Sequence, residues 1–180
     1  MEKLSMEGLH RISVEEFRKC KKIPVVVVLD NVRSALNVGS VFRTADAFRI
    51  SEIWLCGITA CPPNSEIRKT AIGAEQSVEW QHYSDSVEAV SKLKADGYTI
   101  VAVEQAKESV MIDKIDLSTY DKVALIFGNE VKGVDNRLMD ICDLCIEIPQ
   151  HGTKHSLNVS VSAGIVIWEV FRQLSGKADI

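Results

Sequence analysis

Val25-Val26-Val27-Val28-Leu29-Asp30-Asn31-Val32-Arg33-Ser34 is the stretch on which the reading of the fold turns. Its first five residues are apolar without alternation, and four of them are β-branched. A strand with one face in water alternates polar and apolar side chains. An unbroken apolar run means that both faces are covered, as in a parallel sheet between layers of helices. The run ends at Asp30, and residues 31–37 read as a polar turn. Val38, Val41, Phe42, Ala45 and Phe48 then recur at helical spacing. The unit is strand, turn, helix.

The same alternation extends in both directions. Upstream, residues 13–22 predict a short helix, with Ser13 as N-cap and Glu16 completing a capping box. Downstream, residues 53–56 read as a strand. Cys61-Pro62-Pro63-Asn64 breaks regular structure, and a helix over 65–71 follows. Residues 84–95 predict a helix stopped by Gly97. Residues 98–103, 123–127 and 144–148 read as buried strands, and 135–141 and 156–174 as helices. In the last helix Leu157, Val161, Ile165 and Trp168 share a stripe, which fits packing on a core or on a partner. Strands that alternate with helices predict an α/β fold with a mostly parallel sheet flanked by helices. The simplest division is a short N-terminal helical extension over 1–23 and a single domain over 24–180.

The chain has 180 residues, 46% hydrophobic and 26% charged, a profile that excludes intrinsic disorder. The longest apolar run, 25–29, is too short for a membrane span, so no membrane is expected. The first 20 residues do not read as a secretory signal, which makes a cytoplasmic location the default. Five cysteines give no disulfide framework. Cys142 and Cys145 are spaced C-x-x-C, but no second pair or histidines accompany them, so packing is the preferred reading over metal or redox chemistry. The net charge of −4 gives no support to nucleic-acid binding. Local basic groups at Arg18, Lys19, Lys21 and Lys22 fit RNA phosphates or a solvated helix end equally well.

Three polar clusters stand at strand ends, where α/β sheets bind ligands. They are residues 30–43, 127–133 and 148–160. Any one of them reads as ordinary turn and cap chemistry. Together, in order and spacing, they resemble the three motifs of the SpoU (TrmH) branch of the SPOUT methyltransferases. Asn37 and Arg43 match N-x5-R. Gly128, Glu130 and Gly133 match G-x-E-x-x-G. Ile148 and Pro149, followed by Ser156-Leu157-Asn158-Val159-Ser160, match the third motif. The resemblance runs from about Val25 to the C-terminus. Val131-Lys132 and Gln150 depart from residues common in that family.

The resemblance implies a C-terminal deep trefoil knot, the SPOUT fold, and a homodimer in which two knotted regions face each other. It implies S-adenosyl-L-methionine as cofactor and methyl transfer to a ribose 2′-hydroxyl of tRNA or rRNA, with a slight lean towards tRNA. By resemblance, Val103, Glu104, Gly128, Asn129, Gly133, Ile148, Gln150 and Leu157 hold the cofactor. Arg43, Asn37, Glu130, Ser156 and Asn158 form the catalytic set. Arg43 acts as base or as electrostatic stabiliser; a guanidinium holds its proton firmly, which favours the second role. The alternatives are a catalytically inactive knotted RNA-binding protein and a Rossmann-type nucleotide enzyme. No G-x-G-x-G loop follows the first strand, which counts against the latter.

Overall fold

A computed structural model describes residues 3–5 and 11–178. The ends of the predicted units, residues 1–2, 6–10 and 179–180, lie outside the described residues. Strands and helices alternate as β1 (Ile23–Asp30), β2 (Ile50–Cys56), β3 (Glu79–Tyr83), β4 (Thr99–Val103), β5 (Val110–Met111), β6 (Val123–Phe127) and β7 (Leu144–Glu147). The helices are α1 (Val14–Lys19), α2 (Ala35–Ala47), α3 (Ser65–Ala71), α4 (Ala74–Ser77), α5 (Ser86–Ala95), α6 (Asn136–Met139) and α7 (Val159–Leu174). The seven strands form one sheet in the order β3-β2-β1-β6-β4-β7-β5. Every pairing is parallel. No helix among the described residues is long and apolar enough to cross a membrane.

The valine run shows why both faces are covered. Val25, Val27 and Leu29 point into one apolar cluster with Val38, Val41 and Phe42 of α2 and Val166, Ile167 and Val170 of α7. Val26 and Val28 point into the opposite cluster, with Trp54, Ala89, Val90, Leu93 and Leu138. Pro24 cannot donate to a ladder, and the β1–β2 register shifts between Ile23 and Val26. The order also carries an unusual feature. β6 lies between β1 and β4, and β7 between β4 and β5, so later strands are inserted between earlier ones.

Boundaries moved where caps decide them. The capping box at Ser13 and Glu16 is formed, but α1 ends at Lys19. Ser34 caps α2 through its side chain, which accepts from the Asn37 amide, so Asn37 stands in the first helical turn rather than in the preceding loop. Asn158 caps α7, leaving Ser156 and Leu157 in the loop before it. Two strands and a helix were not expected: β3, β5 and α4. β3 is an edge strand whose side chains are mostly exposed, so it lacks an apolar signature. The predicted stripe of α7 faces outward. Leu157, Val161, Ile165 and Trp168 are exposed, while Ala163, Val166, Ile167, Val170 and Leu174 meet the core.

α2 packs against α3 through a glycine. A Cβ at Gly39 would lie 2.2 Å from both the Ile67 carbonyl oxygen and Thr70 Oγ1. Alanine would favour the helix by about 1 kcal/mol, whereas overpacking against backbone, which cannot rotate away, costs about 2–3 kcal/mol, the upper part of the usual range. Gly39→Ala is therefore expected to lower Tm by about 2–8 °C. An unchanged or raised melting temperature in calorimetry would contradict this packing.

Candidate functional site

The carboxyl ends of β4, β6 and β7 open on a cavity of about 580 Å³. Val103, Glu104, Gly128, Asn129, Gly133, Ile148, Gln150 and Leu157 all line it, together with Glu130, Ser156 and Asn158. Residues 128–133 line it as a closed loop. The Asn129 amide donates to the Gly133 carbonyl (3.0 Å) and the Gly133 amide to the Asn129 carbonyl (2.9 Å). Asn129 Oδ1 accepts from the amides of Val131 and Lys132, and its Nδ2 donates to the Asn31 carbonyl. The Asn129 side chain thus fastens the loop to the end of β1.

The two glycines serve this loop. A Cβ at Gly128 would lie 2.1 Å from the Gly133 carbonyl carbon, so residue 128 is small because the loop closes on itself. Close approach to a ligand is not the first reason. Gly133 has φ 71°, and a Cβ there would lie 2.3 Å from Glu104 Oε2. That carboxylate accepts from the Val134 amide (3.1 Å) and the Gln105 amide (2.8 Å), fixing the loop against the end of β4.

Residues from all three clusters meet at the cavity's lip. Glu130 Oε2 accepts from the Arg33 amide (2.9 Å), and Oε1 accepts from the Ser34 amide (3.0 Å) and from Asn37 Nδ2 (3.1 Å). Asn37 Oδ1 in turn accepts from Asn158 Nδ2 (3.2 Å). Partial burial pushes the Glu130 carboxyl up, but hydrogen bonds from Arg33, Ser34, Asn37 and its own backbone outweigh this and hold it below its ordinary value. Those donors include the amino end of α2, where negative charge is favoured. α2 has no acidic residue in its own first turn; Glu130 supplies one from a distant loop.

Arg43 is elsewhere. It lies six residues beyond Asn37 on α2, about 9 Å further along the helix, is exposed, and lines a second cavity rather than the first. The basic residues after Ser13 are partly consumed by the fold. Arg18 donates to the Gln76 carbonyl (2.6 Å), and Lys22 to the carbonyls of Phe17 and Cys20. Cys142 and Cys145 are half-buried. Burial pushes the first thiol up to about 11 and raises the second.

Sequence reasoning missed Asp30 as a positioning group. It is buried and accepts from Asn31 Nδ2 (2.8 Å), Ser86 Oγ (2.5 Å) and the Asp135 amide (3.2 Å). It joins the end of β1 to the starts of α5 and α6. A carboxylate that terminates an apolar strand was the available signal. Gln105 and His155 also line the cavity, and Gln105 Nε2 donates to the His155 carbonyl (2.8 Å), linking the loops after β4 and β7. Only the fold reveals that pair.

A depressed carboxyl contributes its stability in full above its ordinary value, near 4.5 for Glu130, and loses it as the pH falls through the depressed one. Glu130→Gln is expected to lower Tm at neutral pH, since an amide presents an N–H₂ group to N–H donors. The gap to the wild type should narrow as the pH falls below about 4.5. Melting curves between neutral pH and pH 3 test this; a gap that stays constant would contradict the assigned hydrogen bonds.

The model of the SpoU rRNA Methylase family matches residues 24–168. A protein of Borreliella burgdorferi named as an uncharacterized tRNA/rRNA methyltransferase is 35% identical over 90% of this chain and 69% of its own length. The 23S rRNA (guanosine-2′-O-)-methyltransferase RlmB of Neisseria meningitidis is 31% identical over 83% of this chain and 59% of its own. A crystal structure of an AdoMet-bound rRNA methyltransferase from Sinorhizobium meliloti superposes with a TM-score of 0.79, at 31% identity, over 88% of this chain and 60% of that one. The chain thus spans about 60% of the length of two of these three proteins. Matched across four fifths of its length and carrying the three clusters in one place, the chain belongs to the SpoU rRNA Methylase family.

Proposed function

We propose that this chain transfers a methyl group from S-adenosyl-L-methionine to a ribose 2′-hydroxyl of tRNA or rRNA, as a homodimer in the cytoplasm. The observation that carries the reading is the hydrogen-bonded series Glu130–Asn37–Asn158 at the lip of a cavity at the carboxyl ends of parallel strands. The Neisseria relative is named for 2′-O-methylation of guanosine, and the Sinorhizobium structure for bound AdoMet. The rival reading of an inactive RNA-binding protein draws no support from a site in which Glu130, Asn37 and Asn158 are joined by hydrogen bonds. We read the insertion of β6 and β7 between earlier strands as the deep trefoil knot that the family resemblance implies.

The residues present fit the cofactor. The cavity combines apolar walls at Val103, Ile148 and Leu157 with a floor of backbone around Gly128 and Gly133, the mixture that suits a nucleoside. When bound, the cofactor supplies an electrophilic methyl on a sulfonium, so no covalent enzyme intermediate is needed. The chain's tasks are alignment and charge stabilisation. Glu130 fixes Asn37, and Asn37 with Asn158 orients the ribose. Ser156 completes the polar wall at the rim. Arg43 grips the substrate phosphate and stabilises the oxyanion that develops as the 2′-hydroxyl gives up its proton. Gln150 and Asn129 shape the cofactor end.

Homodimer formation explains two features that a monomer leaves without purpose. Val161, Ile165 and Trp168 of α7 form an exposed apolar stripe, a surface that calls for a partner. Arg43 lies outside the first cavity of its own chain, so it reaches a methyl group only across an interface.

Labelling with a radioactive methyl donor, using unmodified tRNA and rRNA followed by nucleoside analysis, tests the reading. A labelled 2′-O-methylnucleoside is expected; a labelled base would refute the ribose assignment. Arg43→Ala should reduce turnover by about 100-fold or more and leave affinity for S-adenosylhomocysteine within about twofold; a fully active variant would remove Arg43 from the mechanism. Trp168→Glu should convert the dimer to monomer in sedimentation and abolish turnover. An active monomer would end the proposal of an active site shared between copies.

A further inference from the structure

The second cavity, about 610 Å³, opens between α1, the carboxyl end of α2 and the turn from α3 to α4. Three arginines line it, Arg11, Arg43 and Arg49, against a single acidic residue, Asp46. In a chain of net charge −4 this is a local excess of positive charge. Among the described residues, none of the three guanidinium groups forms a hydrogen bond or an ion pair. Asp46 pairs with none of them among the described residues; its carboxylate accepts from Ser77 Oγ at 2.5 Å, and the cavity keeps an excess of two positive charges. The N-terminal wall is fixed in place by buried Phe17 and by the Arg18 bond to Gln76.

Unpaired arginines alone would read as solvated surface. The backbone adds an independent observation. Arg49 (φ 50°) and Ile72 (φ 52°) both hold left-handed conformations, and both line this cavity. Each stands at the carboxyl end of a helix, where glycine takes that conformation at no steric cost. A β-branched residue there is a clear outlier. Core packing does not explain Ile72, which is 67% exposed. Strained residues of this kind cluster at binding sites. The result is a row of guanidinium groups beside an exposed apolar side chain, a surface matched to phosphate next to sugar or base.

We propose that the second cavity binds a phosphodiester of the RNA that flanks the methylated ribose, with Arg11 and Arg49 gripping the phosphate and Ile72 packing on the adjoining nucleoside. The proposal rests on the methyl-transfer reading above, since Arg43 lines the same cavity and places this phosphate near the reacting ribose. It assigns the N-terminal segment to substrate binding through Arg11, in place of Arg18 and Lys22, which the fold already uses.

Arg49→Gly is the informative variant, because a left-handed position accepts glycine without strain. If Arg49 only terminates a helix, the variant keeps its RNA affinity and melts no lower than the wild type. If Arg49 grips phosphate, the melting temperature still does not fall, but the Kd for unmodified tRNA or rRNA rises by about tenfold. The slope of log Kd against log salt also flattens by about 0.7–0.9 for each phosphate that is no longer neutralised. Arg11→Ala should act in the same way, and both variants should bind S-adenosylhomocysteine as the wild type does. Unchanged RNA affinity and salt slope in both variants overturns the proposal and leaves the methyl-transfer reading intact. A wild type that binds RNA with an arginine-dependent slope yet transfers no methyl supports the phosphate site and removes the proposed reaction. A wild type that binds neither RNA overturns both.

Discussion

The Glu130 carboxylate on the amino end of α2 is the interaction around which the site is assembled. The amides of Arg33 and Ser34 stand at the start of a helix and have no intrahelical partner; Glu130 accepts from both. The same carboxylate takes Asn37, and Asn37 holds Asn158 at the start of α7. One acceptor therefore sets the relative position of segments separated by 93 and 121 residues in the chain. Bonds of this exposure contribute about 1 kcal/mol each. Their importance lies in geometry more than in total stability.

That geometry needs a rigid platform, which the parallel sheet provides. β1 is covered on both faces and lies between β2 and β6, so its end cannot move without disturbing two ladders. Asp30, at that end, draws in Ser86 and the Asp135 amide. The loop from Gly128 to Val134 is then closed so tightly that side chains at 128 or 133 would collide with the Gly133 backbone or with Glu104. The glycines of the second cluster are explained by this self-contact.

The distribution of charge and apolar surface follows a similar division of labour. A net charge of −4 conceals a cavity lined by three unpaired arginines, and local potential rather than net charge governs what such a surface attracts. The outward stripe of α7 lies beside this region: Phe171 lines the arginine cavity and stacks with Trp168, their ring centroids 5.7 Å apart. Apolar and cationic surfaces thus adjoin at Trp168 and Phe171.

The sequence by itself determined the elements whose pattern is local. An unalternating β-branched run can be stable only inside a sheet covered twice, so residues 25–29 announced a parallel α/β fold. Ser13 announced a helix start because its side chain, with Glu16 three residues on, caps backbone amides wherever the pair stands. The three polar clusters were visible as departures from that pattern. Tertiary structure alone decided the rest. Periodicity shows which residues of α7 share a face but not what covers that face, and here the shared stripe at Val161, Ile165 and Trp168 points outward. β3 and β5 carry no signature because edge strands are held by neighbouring backbone rather than by their own side chains. Nor could spacing reveal that Arg43 lines a second cavity while Asn37, six residues before it, bonds Glu130 and Asn158 of the first, since that depends on where α3, α4 and α7 pack around α2.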